Sequence, residues 1–137
     1  MNPLRYVAAY LGAGVVMAGL DSIWLVVANQ AVYRANLGPI LTAGFRPVPA
    51  VLFYLIYLVG VVVLAVRPSA RDNKLGAAAL RGACLGFVAY ATYDLTNQAT
   101  LIVWSLKVTL PDLAWGTFLT AVAATAGLAA SRIVKRG

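Results

Sequence analysis

Four long apolar stretches separated by polar or basic intervals organise the 137-residue sequence. They lie near Tyr6–Ala28, Pro49–Val66, Leu75–Leu95 and Leu113–Ala130, each close to the ~20 residues a helix needs to cross a hydrocarbon core of ~30 Å. Lipid offers the backbone no hydrogen-bond partners, so each stretch must close its own ladder as a helix. The pattern therefore predicts an all-α fold, a polytopic transmembrane four-helix bundle. It forms a single domain over 1–137, with helices about 6–28, 49–66, 75–95 and 113–130. The second stretch is the shortest, and a buried, non-spanning segment is the alternative there. A cleaved leader is the alternative for the first, but that run is long for a signal core and contains Asp21.

The intervals carry the charge. Apolar residues make up 62% of the chain and charged residues 11%, well below the ~25% of an average soluble domain. The net charge of +7 is unevenly placed. Arg5, Arg67, Arg71, Lys74, Arg81, Arg132, Lys135 and Arg136 fall on one side of the expected bundle, and Arg34, Arg46 and Lys107 on the other. That bias predicts both termini in the cytoplasm. No basic stripe interleaved with aromatics is present, which argues against nucleic acid as a partner. Histidine and glutamate are absent, so histidine-based metal sites and Ser-His-Asp triads are excluded, and no metal or cofactor is expected. The single Cys84 is expected as a buried, inert thiol in helix three.

Alternating helix directions bring three of the four aspartates, Asp21, Asp94 and Asp112, to the side opposite most of the basic residues. All three tryptophans (Trp24, Trp104 and Trp115) and five of the seven tyrosines gather there too. Interfacial aromatic belts normally occupy both faces, so this one-sidedness exceeds what anchoring requires. At ~100° per residue, Gly82, Gly86, Tyr90, Tyr93, Asp94 and Asn97 share an arc of ~120° on helix three. The two glycines allow close helix approach, and the polar groups beyond them would line the same contact. Gly14-x-x-x-Ala18 and Gly116-x-x-x-Thr120-x-x-x-Ala124 repeat the small-residue theme on helices one and four.

Each acid also has a purely structural reading. Thr109-x-x-Asp112, with Pro111 between, resembles a helix-capping box. Asp94 could pair with Lys107 or Arg46. Asp21, ~10 Å below the expected helix end, demands a partner such as Arg34 or a tyrosine. Asp21-x-x-Trp24 and Asp112-x-x-Trp115 echo one another, but the first falls near a helix end and the second near a helix start, which argues against a repeat.

The run Tyr90-Ala-Thr-Tyr93-Asp94-Leu95-Thr96-Asn97-Gln98-Ala99-Thr100, with Trp104 and Asp112-Leu-Ala-Trp115-Gly116, resembles the domain of unknown function 2177 family. Leu20-Asp21-x-x-Trp24, Tyr33-Arg34-x-x-Leu37-Gly38 and Phe53-Tyr54-x-x-Tyr57 extend the likeness over essentially the whole chain. The resemblance implies a small four-helix protein of the bacterial inner membrane and brings no activity with it. From the residues, the leading expectation is a pocket open to the outer leaflet that binds a lipid or another amphipathic small molecule. Its ligand-binding residues would be Asp21, Trp24, Tyr54, Tyr90, Tyr93, Asp94, Asn97, Asp112 and Trp115. Lipid modification would need Asp21 or Asp94 as acid or base. An accessory subunit of a larger membrane complex, a homo-oligomer and a proton- or ion-coupled transporter are the other readings.

Overall fold

The structure is a computed structural model that describes residues 1–134, so Lys135 and Arg136 of the basic side lie outside the described residues. Four helices are long and apolar enough to cross a membrane: α1 (Pro3–Ile40), α2 (Pro47–Asp72), α3 (Leu75–Thr100) and α4 (Leu106–Ile133). The described residues contain no strand. Asn2 caps α1 by accepting from the Arg5 backbone N–H at 3.0 Å, and Pro3 and Pro47 open their helices, where a missing N–H costs nothing. Asn73 in the left-handed region (φ 49°) turns α2 into α3.

Two of the expected loops are largely helical instead. The interval after Ala28 continues as a π-helical stretch, Asn29–Arg34, and then as short helical turns to Ile40. The interval before helix four shrinks to residues 101–105, because α3 runs on to Thr100 and α4 already begins at Leu106. Polar residues stopped the apolar count early at both places, threonines among them at the second, yet the helix continues through them. Pro111 and Asp112 consequently lie inside α4, and the capping-box reading of Asp112 is corrected. Ser105 holds the N-cap position.

α4 is the central helix. Its buried positions follow a seam through Val108, Asp112, Gly116, Leu119, Ala123 and Leu128. Against it lie two stripes of four-residue spacing. On α1 the stripe is Arg5, Ala9, Ala13, Met17 and Asp21; on α3 it is Ala78, Gly82, Gly86 and Asp94, with half-buried Tyr90 between. α1 and α4 run antiparallel, since Arg5 Nε donates to Ser131 O at 2.8 Å while Trp115 reaches Asp21 at the other end.

Lipid tails are as apolar as the side chains, so helix association depends on close packing rather than on a hydrophobic drive. Gly82 and Gly86 provide it. A β-carbon at Gly82 would stand 2.6 Å from Thr120 O, and one at Gly86 would overlap Gly116 O and the Thr120 side chain. The small-residue seams of helices three and four therefore pack on each other. Helix one departs from expectation, because Ala18 is exposed and Ala9, Ala13 and Met17 make the contact instead. Cys84 also faces outward rather than inward.

α2 packs unevenly. Its Pro47–Gly60 half buries only Leu58, whereas the π-helical Val61–Val66 stretch buries Val61, Val62, Ala65 and Val66. The bundle is thus tight towards its basic end, where Arg81 pairs with Asp72 at 3.2 Å and donates to Ser69 at 2.9 Å. Towards the acidic end it opens.

Gly86→Ala should lower stability by about 1–3 kcal/mol through overpacking, while Gly19→Ala, where a β-carbon meets nothing within 4 Å, should be neutral. Unfolding in mixed micelles measures both, and equal effects would contradict the close α3–α4 contact.

Candidate functional site

The α1 and α3 stripes each finish in an aspartate where they meet the first turns of α4, which itself carries Asp112. Asp21, Asp94 and Asp112 are 8%, 0% and 6% exposed. An ionised carboxyl in hydrocarbon costs on the order of 3 kcal/mol or more unless partnered, so their partners decide what the site is.

Asp21 accepts from the Trp115 indole N–H at 2.9 Å and from the Tyr54 hydroxyl. Its partner is a tyrosine, as one reading expected, and not Arg34. Asp112 accepts from the Tyr33 hydroxyl, which in turn accepts from Trp24 Nε1 at 2.9 Å. The indoles of Trp24 and Trp115 stack between these chains, with centroids 4.7 Å apart and planes 6° from parallel. The two Asp-x-x-Trp segments are therefore reciprocal. On antiparallel helices each tryptophan stands level with the other helix's aspartate, and each is joined to it, Trp115 directly and Trp24 through Tyr33.

Tyr33 owes its position to the irregular helix. On a regular helix nine residues turn through about 900°, so Tyr33 would face away from Trp24 and lie roughly 13 Å along the axis. The wider turn of Asn29–Arg34 breaks that register, as π-helical insertions often do at functional positions. A second small core holds the extension down, with Leu37, Trp104 and Val108 buried together and Val32 and Tyr33 against them. Trp104 is fixed by its N–H to Thr109 Oγ1 at 3.1 Å, and Thr109 donates to Gln98 at 2.8 Å.

Where α2 splays away, a cavity of about 420 Å³ remains. α1 contributes Asp21, Trp24, Leu25 and Tyr33; α2 contributes Phe53 and Tyr57; α3 contributes Ala89, Tyr90 and Tyr93; α4 contributes Asp112 and Trp115. Gly116 makes room for one wall, because any β-carbon there would overlap the Tyr90 ring. Tyr57 is tied to Thr120 at 2.8 Å.

Of the residues singled out in the sequence, Asp21, Trp24, Tyr90, Tyr93, Asp112 and Trp115 line this cavity. Tyr54 does not line it but holds Asp21. Asn97 is half-buried outside it. Asp94 lies behind Asp112, with both carboxyl oxygens buried and the Asp112 carboxyl as their hydrogen-bond neighbour. Pairing of Asp94 with Lys107 or Arg46 is not found; among the described residues the ion pair is Arg81–Asp72. Tyr33, Phe53 and Tyr57 were missed as site residues, although all three stood in the segments quoted for the family resemblance.

Residues 6–129 match the profile of a family described as "Predicted membrane protein (DUF2177)". The chain belongs to the DUF2177 family. No curated protein and no solved structure matches it. The segment shared with the DUF2177 profile contains every residue lining the cavity.

A double-mutant cycle of Tyr33→Phe with Asp112→Ala should give a coupling of about 0.5–2 kcal/mol, the range for hydrogen bonds between membrane helices. Purely additive losses would contradict the bond.

Proposed function

We propose that this multi-pass DUF2177 protein binds a lipid or another amphipathic small molecule in the cavity at its acidic end. The carrying observation is the cavity itself, about 420 Å³ with walls from all four helices, in the ~300–1,000 Å³ range of ligand sites. Its chemistry suits such a ligand: mostly aromatic walls with a few polar groups, at the end of membrane-spanning segments. Towards the basic end the bundle is filled by Ala13, Met17, Val61, Ala65, Leu119 and Ala123, so the site is blind-ended in this conformation. A binding pocket fits that form better than a conduit. Should a reaction occur, the carboxylates Asp21 and Asp112 are the groups at the cavity able to move a proton.

Orientation follows from charge. The basic end faces the cytoplasm under the positive-inside bias, and the pocket then opens to the outer leaflet of a bacterial inner membrane. In a Cys84→Ala background, a membrane-impermeant maleimide should label Gly44→Cys in intact cells, and Asn73→Cys only after permeabilisation. The reverse pattern would overturn this placement.

Mass spectrometry of molecules co-purifying with the wild type, against Asp21→Asn and Tyr90→Ala, tests binding. A species present in the wild type and depleted at least about 10-fold in the variants supports the pocket; a loss of about 1.4 kcal/mol suffices. A wild-type preparation carrying nothing that the variants lack contradicts it.

A further inference from the structure

We infer that the ligand of this pocket is positively charged where it meets the protein: an organic ammonium group, primary or quaternary, on an apolar body. The inference rests on the pocket reading above and adds the chemical class.

The inventory of charge comes first. Two carboxylates line the cavity and, among the described residues, no lysine or arginine does. The cations at this end, Arg34, Arg46 and Lys107, are all exposed. The donors that reach Asp21 and Asp112 are phenols and indoles, which satisfy lone pairs and leave net charge uncompensated. An anionic head group would meet two carboxylates with nothing to offset the repulsion.

The second observation is Asp94. It is 0% exposed, and its carboxyl meets the Asp112 carboxyl within hydrogen-bond reach, with no ion pair to either among the described residues. Like charges held in contact repel, so a pair of touching carboxyls at the cavity wall favours a cation beside it. A cation resting against Asp112 would offset that repulsion.

The third is the wall itself. The stacked Trp24 and Trp115, with Tyr57 and Tyr90, present π-systems to the cavity. Aromatic faces attract ammonium groups, most strongly where water is excluded, and cages of this composition recognise quaternary ammonium. Aromatics alone would accept any apolar ligand. Carboxylates and aromatics together select a cation with hydrocarbon attached.

Three probes of equal tail length separate the possibilities: octyltrimethylammonium, octanol and octyl sulfate, titrated into the full-length protein in maltoside detergent with tryptophan fluorescence as readout. The ammonium should bind at least about 10-fold more tightly than octanol, equivalent to one favourable charge contact of about 1.4 kcal/mol, with the sulfate weakest. Asp112→Asn should reduce the preference to less than about 3-fold; Tyr6→Phe, remote from the pocket, should leave it intact. Because the probe series is run on the wild type, the result does not depend on the variant folding. If octanol binds as well as the ammonium, the pocket stands and the charge preference is overturned. If none of the three binds, the pocket reading falls, and this inference with it. Repeating the titration in phosphatidylglycerol nanodiscs with and without phosphatidylethanolamine separates the sources. Competition by the aminolipid assigns a lipid head group, and unchanged affinity assigns a free amphiphilic amine.

Discussion

A carboxylate inside a membrane has no water to turn to, so the protein must supply what the solvent would. Asp21 and Asp112 meet that constraint by reaching across the α1–α4 contact. Trp115 donates directly to Asp21, and Trp24 is connected to Asp112 through Tyr33. The stacked indoles close the arrangement. Because the helices run antiparallel, the same i, i+3 spacing on both brings each aspartate level with the other helix's tryptophan. Removing either acid leaves a donor unpaired on the opposite helix, which ties the local polar network to the packing of the bundle.

The remaining architecture serves to hold that contact and to leave space beside it. Glycines 82 and 86 let α3 lie against α4 backbone to backbone, and that approach carries Asp94 in behind Asp112. The Asn29–Arg34 stretch turns Tyr33 back over the helix ends, and the Leu37–Trp104–Val108 cluster keeps it there. α2 is fastened chiefly through Val61–Val66, so its other half stands off and the cavity opens at the acidic end. Tight packing at one end and divergence at the other are consequences of where small and β-branched residues fall along α2 and α3.

Much of this was legible in the sequence, because hydropathy counts helices directly and four apolar runs fix four spans. The gathering of Asp21, Asp94 and Asp112 followed from alternating helix direction alone, and the Gly82/Gly86 face from helical periodicity. Helix ends were not legible. Thr96, Thr100, Thr109 and Asn36 read as loop residues, yet in the structure the Thr96, Thr100 and Asn36 side chains bond to the backbone within continuing helices and Thr109 to Gln98. That error moved Asp112 from helix interior to cap and hid Tyr33 in an apparent loop. It also made the two Asp-x-x-Trp segments look unrelated, since their likeness becomes meaningful only when both lie inside antiparallel helices. The side on which Cys84 emerges depends on which face of α3 is left unpartnered, which one helix's pattern does not reveal.

The face-to-face stack of Trp24 on Trp115 is the most direct signature of the reciprocal α1–α4 contact. Circular dichroism in the indole absorption bands reads it, because two rings 4.7 Å apart couple their in-plane transitions, and the crossing of those transitions in a chiral stack gives a paired positive and negative signal. The account predicts that signal in the wild type, its complete loss in Trp24→Phe and equally in Trp115→Phe, and its retention in Trp104→Phe. A wild-type spectrum without the paired signal, or one equal to the sum of three independent indoles, would contradict it.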